Sequence, residues 1–79
     1  MKEEEKLLVE QAREGSEKAF NTLYNNYYKT VWYTANNVVH NSDAADDITS
    51  MVFTKVYLKL QSYTNHISFE MWLKTITVN

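Results

Sequence analysis

The sequence of 79 residues contains no cysteine, no proline and a single glycine. Without cysteine the chain has neither a disulfide framework nor a thiolate zinc site, so packed side chains must supply its stability. Without proline, and with one glycine, the main signals that can interrupt a helix are clusters of polar residues. Apolar residues recur at spacings of three and four along the whole chain. This pattern predicts an all-α fold, a compact bundle of about four helices in one domain.

A long apolar run is also missing. The first residues, MKEEEKLLVEQ, carry charges where a signal peptide needs apolar side chains, and the longest uncharged stretch, residues 30–42, includes three asparagines and a histidine. We therefore expect a soluble cytoplasmic protein without a membrane segment.

An excess of positive charge is absent as well. The formal net charge is -2, and the first 17 residues hold six acidic side chains against three basic ones. The remaining residues hold five lysines against four acidic side chains. Because this larger part is nearly neutral, its charge neither requires nor excludes a polyanionic partner.

Two helices are predicted in the first half of the chain. The first covers about residues 3–14 and ends at Gly15, where a left-handed cap is easiest for glycine. Ser16 is the predicted N-cap of the second helix, which extends to about residue 39. The residues predicted to face the core are Leu7, Leu8, Val9 and Ala12 in the first helix, and Phe20, Leu23, Tyr24, Tyr27, Val31, Ala35 and Val38 in the second.

Two further helices are predicted after the turn NSDAADD. Ser42 or Asp43 can cap the third helix, and Asp46 and Asp47 complement the positive end of its dipole. This helix extends to about residue 60, an uncharged loop follows over residues 61–67, and Ser68 caps the fourth helix. The residues predicted to face inward are Ile48, Val52, Val56 and Leu60, flanked by Phe53 and Tyr57, and then Phe69, Trp72, Leu73 and Ile76, with Trp72 buried. Those predicted to face outward or sideways are Asp47, Ser50, Met51, Thr54 and Leu58.

Catalytic and metal-binding residues are sparse. His40, Asp43 and Asp47 are close in sequence and are of types that bind divalent ions. Carboxylates at a helix start and a histidine at a helix end have a simpler explanation in the helix dipole, so we predict no metal site. The chain has no cysteine nucleophile and no glycine-rich phosphate loop. We therefore predict that it is not an enzyme and needs no cofactor.

Aromatic and amide side chains are concentrated in residues 19–42. Such residues can stack on unpaired bases and bond to their edges, but most of the aromatics follow helical spacing and are assigned to the core. Those predicted to lie outside the main stripe are Tyr28, Trp32 and Tyr33. The uncharged loop containing Tyr63, Asn65 and His66 is either an ordinary exposed connection or a loop shaped to hold a base.

Three segments in order resemble region 2 of a bacterial sigma factor of the extracytoplasmic-function (ECF) type. They are EKAFNTLYNNYYKTVWYTA, AADDITSMVFTKVYLKLQSY and FEMWLKTITVN. The family places an Ala-Phe pair, an Ala-Glu-Asp motif followed by a phenylalanine, and an aromatic-x-x-Trp-Leu-x-x-Ile-x-x-Asn motif at the starts of successive helices. Two departures are Ser50, where the family usually has glutamine, and Met51, where it usually has an acidic residue.

The resemblance implies a transcription initiation module that binds the clamp helices of the largest subunit of the RNA polymerase core and the non-template strand of the minus-ten promoter element. An anti-sigma factor is a further implied partner. The residues that the resemblance places nearest the polymerase are Asp46, Asp47, Ser50, Met51, Phe53 and Tyr57, although Phe53 and Tyr57 suit the core equally well. Those it places nearest the DNA are Tyr63, Thr64, Asn65, His66, Ile67, Ser68, Lys74, Thr75 and Asn79, with Tyr63 stacking on a base.

The resemblance has a further implication and leaves one alternative. In the family the last helix continues into a basic stretch and a second domain follows, so residues 1–79 are expected to be a single region 2-like domain from a longer factor. The alternative is a helical protein-interaction module that never binds DNA. In such a module the loop residues 63–67 should be freely replaceable.

Overall fold

The computed structural model describes residues 3–64 and 66–78, which form four α-helices joined by short connections. The helices are α1 (Glu3–Arg13), α2 (Glu17–Val39), α3 (Ser42–Lys59) and α4 (Phe69–Val78), and a short 3-10 turn at Leu60–Ser62 continues from α3. No strand occurs within these two ranges. The predicted all-α fold is confirmed.

The connection between α1 and α2 has the predicted local chemistry. Gly15 has a φ of 103°, a left-handed conformation that costs a glycine little because it has no Cβ atom. The hydroxyl oxygen of Ser16 then accepts a hydrogen bond of 3.1 Å from the backbone N–H of Ala19. Both capping predictions are confirmed.

The start of α3 differs from the prediction. Its N-cap is Asn41, whose side-chain oxygen accepts from the Ala44 N–H at 2.9 Å, so Ser42 and Asp43 lie inside the first turn. Asn41 takes this position because α2 ends abruptly at His40, which has a left-handed φ of 51°. The following residue is therefore already extended and able to cap a new helix.

The two aspartates expected at the positive end of α3 are consequently too far along the helix. Only Asp43 lies in the first turn, whereas Asp46 and Asp47 belong to the second. Because the dipole effect falls off within one turn, Asp46 and Asp47 gain little from it.

The core is formed by residues from all four helices and the 3-10 turn. Its largest fully buried side chains include Val9, Val31, Phe69 and Leu73. Partly buried side chains that pack against this core are Leu8, Ala12, Phe20, Tyr24, Tyr27, Ile48, Trp72 and Ile76. Trp72 was expected to be buried, but it lies at the edge of the core and keeps part of its ring exposed.

Two predicted core residues are exposed. Leu7 is 59% exposed because it lies about 200° around α1 from Val9, so the two cannot face the same neighbours. Val38 is 65% exposed because the apolar stripe of α2 continues beyond the part of the helix that its neighbours cover.

The buried set also contains small residues that the periodicity did not identify. Ala19, Ala45 and Thr49 are all buried. The Thr49 hydroxyl donates to the Ala45 carbonyl at 2.8 Å, which satisfies its donor without a partner from another helix. In the described part of the chain, no helix is both long and apolar enough to cross a membrane.

Candidate protein and nucleic-acid interfaces

The outer face of α3 is exposed and carries two large apolar side chains. Each of its side chains lies three or four residues from another member, so they share one side of the helix. The members of this α3 outer face are Asp47, Ser50, Met51, Thr54 and Leu58, all exposed as predicted. Met51 and Leu58 are large apolar side chains that remain more than half exposed. Together they make this face a candidate for contact with another protein.

Phe53 and Tyr57, which the sequence left undecided, lie in different environments. Phe53 is only 5% exposed, and its ring centroid is 4.5 Å from that of Tyr24. Tyr57 is 66% exposed, although its ring also contacts Phe20 edge-on at 5.4 Å. Phe53 is therefore a core residue, which is one of the two alternatives that the sequence left open for it. Tyr57 is available on the surface.

A groove runs between α2 and α3 beside the outer face of α3. It encloses about 570 Å³, and its aromatic walls come from both helices. The residues that form its walls and rim include Phe20, Tyr24, Ser50, Phe53, Thr54 and Tyr57. Phe53 thus contributes to the interface region as the packed base of the groove.

Asp46 and Asp47 are both exposed, but they are held differently. The indole N–H of Trp32 donates to the Asp46 carboxylate at 2.7 Å, which links α2 to α3. In the described ranges, the Asp47 side chain forms neither a hydrogen bond nor a salt bridge. Asp47 is therefore the carboxylate free to pair with a partner, whereas Asp46 is already engaged.

An aromatic cleft lies beside this Trp32–Asp46 pair. It encloses about 320 Å³ and is lined by Tyr28, Lys29, Trp32, Tyr33 and Asp46. The prediction that the three aromatic residues lie outside the main stripe is confirmed, since none belongs to the core cluster. The pairing of Trp32 with Asp46 was missed because nothing in a sequence indicates a contact between residues 14 apart on different helices.

The loop that precedes α4 exposes several polar side chains. Thr64, His66, Ile67 and Ser68 are exposed, and the Ser68 hydroxyl accepts from the Met71 N–H at 3.2 Å, so the predicted cap is confirmed. The predicted DNA contacts Asn65 and Asn79 lie outside the described residues.

The outer side of α4 carries the predicted residues Lys74 and Thr75, both exposed. The Lys74 ammonium lies 3.3 Å from the Glu70 carboxylate, and the Thr75 hydroxyl donates to the Met71 carbonyl at 3.0 Å. The positive charge of Lys74 is thus partly compensated within the domain.

Tyr63 is the largest departure from the sequence-based site. Its side chain is 2% exposed, and its ring packs against Phe69 and Trp72 with centroid distances of 5.6 and 5.0 Å. The expectation that this ring stacks on a base is wrong, because no ring face is open to one. A signal was present, since Tyr63 follows Leu60 by three residues and Val56 by seven and so continues the apolar stripe of α3 through the 3-10 turn.

The hydroxyl of Tyr63 points back into the loop and donates to the Ile67 carbonyl at 2.7 Å. Burial raises the pKa of this phenol, the nearby Glu5 carboxylate raises it further, and Arg13 opposes them. The raised pKa keeps the hydroxyl protonated and able to donate throughout the neutral range. In the described ranges, no group of three or more histidine, aspartate or glutamate side chains is placed to hold a metal ion.

Comparison with known proteins decides the family. The model of the family described as sigma-70 region 2 matches residues 23–79, which include the second half of the chain and most of α2. The chain belongs to the sigma-70 region 2 family. The α3 outer face, the loop and α4 lie within the part that matches, as does the α3 side of the α2–α3 groove, whereas Phe20 on its α2 side precedes that part.

Individual relatives extend the similarity over nearly the whole region 2 chain. It is 33% identical over 75 residues to the ECF RNA polymerase sigma-E factor of Escherichia coli (strain K12), covering 95% of the chain and 39% of that protein. It is 33% identical over 72 residues to the protein of the same name in Haemophilus influenzae, covering 91% and 38%. It is 29% identical over 77 residues to the RNA polymerase sigma-H factor of Pseudomonas aeruginosa, covering 98% and 40%.

The chain covers only part of each of these relatives. The chain spans about two fifths of the length of the sigma factors it matches. The resemblance to an ECF sigma factor region 2 domain, noted first from three short motifs, is confirmed.

Proposed function

We propose that this domain acts in transcription initiation by binding the RNA polymerase core through the α3 outer face and the minus-ten element through the loop and α4. The observation that carries the proposal is the α3 outer face itself. It leaves Met51 and Leu58 exposed in line with the free carboxylate of Asp47, on a helix whose opposite side is fully packed.

The shape of this surface suits a helical partner such as the clamp helices of the polymerase. Side chains at three- and four-residue steps form a ridge that fits the groove of another helix. Tyr57 and the α2–α3 groove extend the surface sideways and would receive an apolar side chain of the partner. Asp47 would pair with a basic side chain at the end of this ridge.

Asp47→Ala should weaken binding to an isolated clamp-helix fragment by about 1 kcal/mol, or roughly fivefold, because the lost pair is partly solvated. Binding is measured by titration calorimetry at fixed ionic strength, and thermal unfolding is followed in parallel. Glu14→Ala, which removes a carboxylate from the α1–α2 turn, is the matched control and should leave the affinity unchanged. An unaltered affinity for Asp47→Ala, or a comparable loss in both variants, would count against the proposed face.

The DNA half of the proposal depends on the exposed loop. Thr64, His66 and Ser68 present hydrogen-bonding groups, and Ile67 presents an apolar surface, so the loop offers both edge contacts and packing to an unpaired base. Stacking by Tyr63 is not part of this proposal, since the ring is buried. The affinity must therefore come from contacts around the loop and from Lys74 on α4.

We expect weak binding of a short non-template-strand oligonucleotide and weaker binding of duplex DNA. Only Lys74 offers a cation on α4, so the plot of log affinity against log salt concentration should have a slope of about one unit or less. Glu70→Gln, which frees Lys74 from its ion pair, should strengthen binding severalfold, and Lys74→Gln should weaken it.

The same titration, followed by amide chemical shifts, locates the DNA. Chemical-shift changes are expected at Thr64, His66, Ile67 and Ser68 and in the first two turns of α4. DNA binding through the loop would be contradicted if the loop stayed unaffected at high oligonucleotide concentration. The chemical-shift changes would then be confined to α1 or scattered over the surface.

The second candidate function is a protein-interaction module that does not bind DNA. It is favoured by the aromatic α2–α3 groove and the α3 outer face, which could bind a partner helix without any contribution from the loop. An anti-sigma factor is one partner that such a surface would accept. Replacement of Thr64 and His66 by alanine distinguishes the two candidates, since only the DNA-binding function should suffer.

A further inference from the structure

The Tyr63 hydroxyl closes the loop between the 3-10 turn and α4. It donates to the backbone carbonyl of Ile67 at 2.7 Å, and this hydrogen bond joins the two sides of the loop. Within the described residues, no backbone–backbone hydrogen bond crosses this loop. The bonds of that kind at its ends are from Tyr63 N–H to the Leu60 carbonyl at 3.2 Å and from Trp72 N–H to the Ser68 carbonyl at 3.0 Å.

The ring that carries this hydroxyl is held firmly. Tyr63 is 2% exposed and is packed between Phe69 and Trp72, the first and fourth residues of α4. The hydroxyl therefore has a fixed position relative to α4. Because it bonds to a backbone carbonyl, it fixes the position of Ile67 relative to α4 whatever side chain residue 67 carries.

We propose that Tyr63 is a positioning residue that holds Ile67, and with it the end of the loop that leads into α4, in place before DNA binds. This inference rests on the proposed DNA-binding function of the same loop. A loop already held in its binding shape loses less conformational entropy when it captures a ligand, so its affinity is higher than that of a loop free to sample other shapes. Tyr63 contributes to DNA binding in this way without touching a base.

The test is Tyr63→Phe, which keeps the packed ring and removes only the hydroxyl. Loss of one hydrogen bond corresponds to a factor of about 2 to 12 in the loop-opening equilibrium. We expect loop exchange, meaning exchange of the Met71 and Trp72 amides whose N–H groups bond to Ser68 at the end of the loop, to accelerate by this factor. We expect oligonucleotide affinity to fall by no more than the same factor, and clamp-helix affinity to stay constant.

The matched control is Tyr27→Phe. It removes another partly buried tyrosine hydroxyl, one that donates to Glu5 and so links α2 to α1. If loss of a buried hydroxyl merely loosened the whole domain, both variants would accelerate exchange in the loop equally, and the positioning role would be overturned. Selective acceleration in Tyr63→Phe supports it.

Two further outcomes separate this inference from the proposed function. If the wild-type domain binds no oligonucleotide but Tyr63→Phe still accelerates loop exchange selectively, the positioning role stands and the DNA-binding proposal fails. If the wild-type domain binds DNA and Tyr63→Phe changes neither loop exchange nor affinity, DNA binding stands and the positioning role fails. If Tyr63→Phe fails to fold, the hydrogen bond can still be tested in the wild-type domain. The Tyr63 hydroxyl proton should exchange with water more slowly than that of exposed Tyr33. Equal exchange rates would contradict the hydrogen bond.

Discussion

Phe53→Ala should lower the free energy of unfolding by about 3 to 5 kcal/mol, although the family resemblance placed this residue near the polymerase. The phenylalanine ring is 5% exposed and lies against Tyr24, so its removal leaves a cavity between α2 and α3. Urea denaturation followed by circular dichroism measures the loss. For a domain of this size, such a loss would remove much of its stability.

Tyr57→Ala is the matched comparison, four residues along the same helix. Its ring is 66% exposed, so we expect a loss of stability below about 1 kcal/mol and a clear loss of affinity for the clamp-helix fragment. If Tyr57→Ala proved the more destabilising substitution, or if Phe53→Ala weakened binding while the domain stayed fully stable, the assignment of core and surface on α3 would have to be reversed.

Phe69→Ala should be at least as damaging, with a loss of about 3 to 5 kcal/mol. Phe69 is completely buried, and its ring contacts those of Tyr27, Tyr63 and Trp72 at centroid distances of 5.5, 5.6 and 5.8 Å. Its removal would loosen α4 and the closed loop together, because the Tyr63 ring would lose one of its two supports.

Tryptophan fluorescence in a Trp32→Phe background reports on this region through Trp72 alone. Trp72 is partly buried, so the parent should emit at wavelengths shorter than free indole in water, and Phe69→Ala should shift the emission to longer wavelengths. Met71→Ala, on the exposed side of α4, is the control and should change neither emission nor stability much. Emission like free indole in the parent would contradict the packing of Trp72.

Local chemistry allowed the helices and most of their starts to be predicted. Gly15, Ser16 and Ser68 act through their own backbone freedom or side-chain hydroxyl, so their roles can be read without knowing the fold. Asn41 could not be identified in the same way. Which of several adjacent polar residues caps α3 depends on where α2 ends, and that is set by the left-handed conformation of His40.

The spacing of apolar residues predicted the core well where those residues form a narrow, continuous stripe along a helix. It predicted the core poorly at the edges and ends of such a stripe. Leu7 was included because it is apolar, although its angular position on α1 is opposite that of Val9. Tyr63 was left out because the uncharged segment was interpreted as a loop from residue 61, whereas the stripe continues through the 3-10 turn. The first error ignored angular position within a helix, and the second came from ending the helical stripe too early.

The polar contacts between elements were beyond sequence reasoning. Trp32 with Asp46, Tyr27 with Glu5, and the Gln61 side chain with the Arg13 carbonyl each join residues far apart in the chain. Such pairs depend on how the helices are arranged. The function was suggested by three motifs that occur in the same order as in the family. Burial in the structure then distinguished the residues able to contact a partner from those that stabilise the fold.

The packing of α1 bears on where this domain can be divided. The sigma-70 region 2 match begins at residue 23, after α1 and the first turns of α2. Yet Val9 of α1 is completely buried, and α1 accepts hydrogen bonds from Tyr27 on α2 and from Gln61 beyond α3. A polypeptide begun at residue 23 would keep the whole family signature but expose the apolar surface that α1 covers. The cooperative folding unit therefore includes α1, which the region 2 match leaves out, and shortening the domain to residues 23–79 would favour aggregation over a native state.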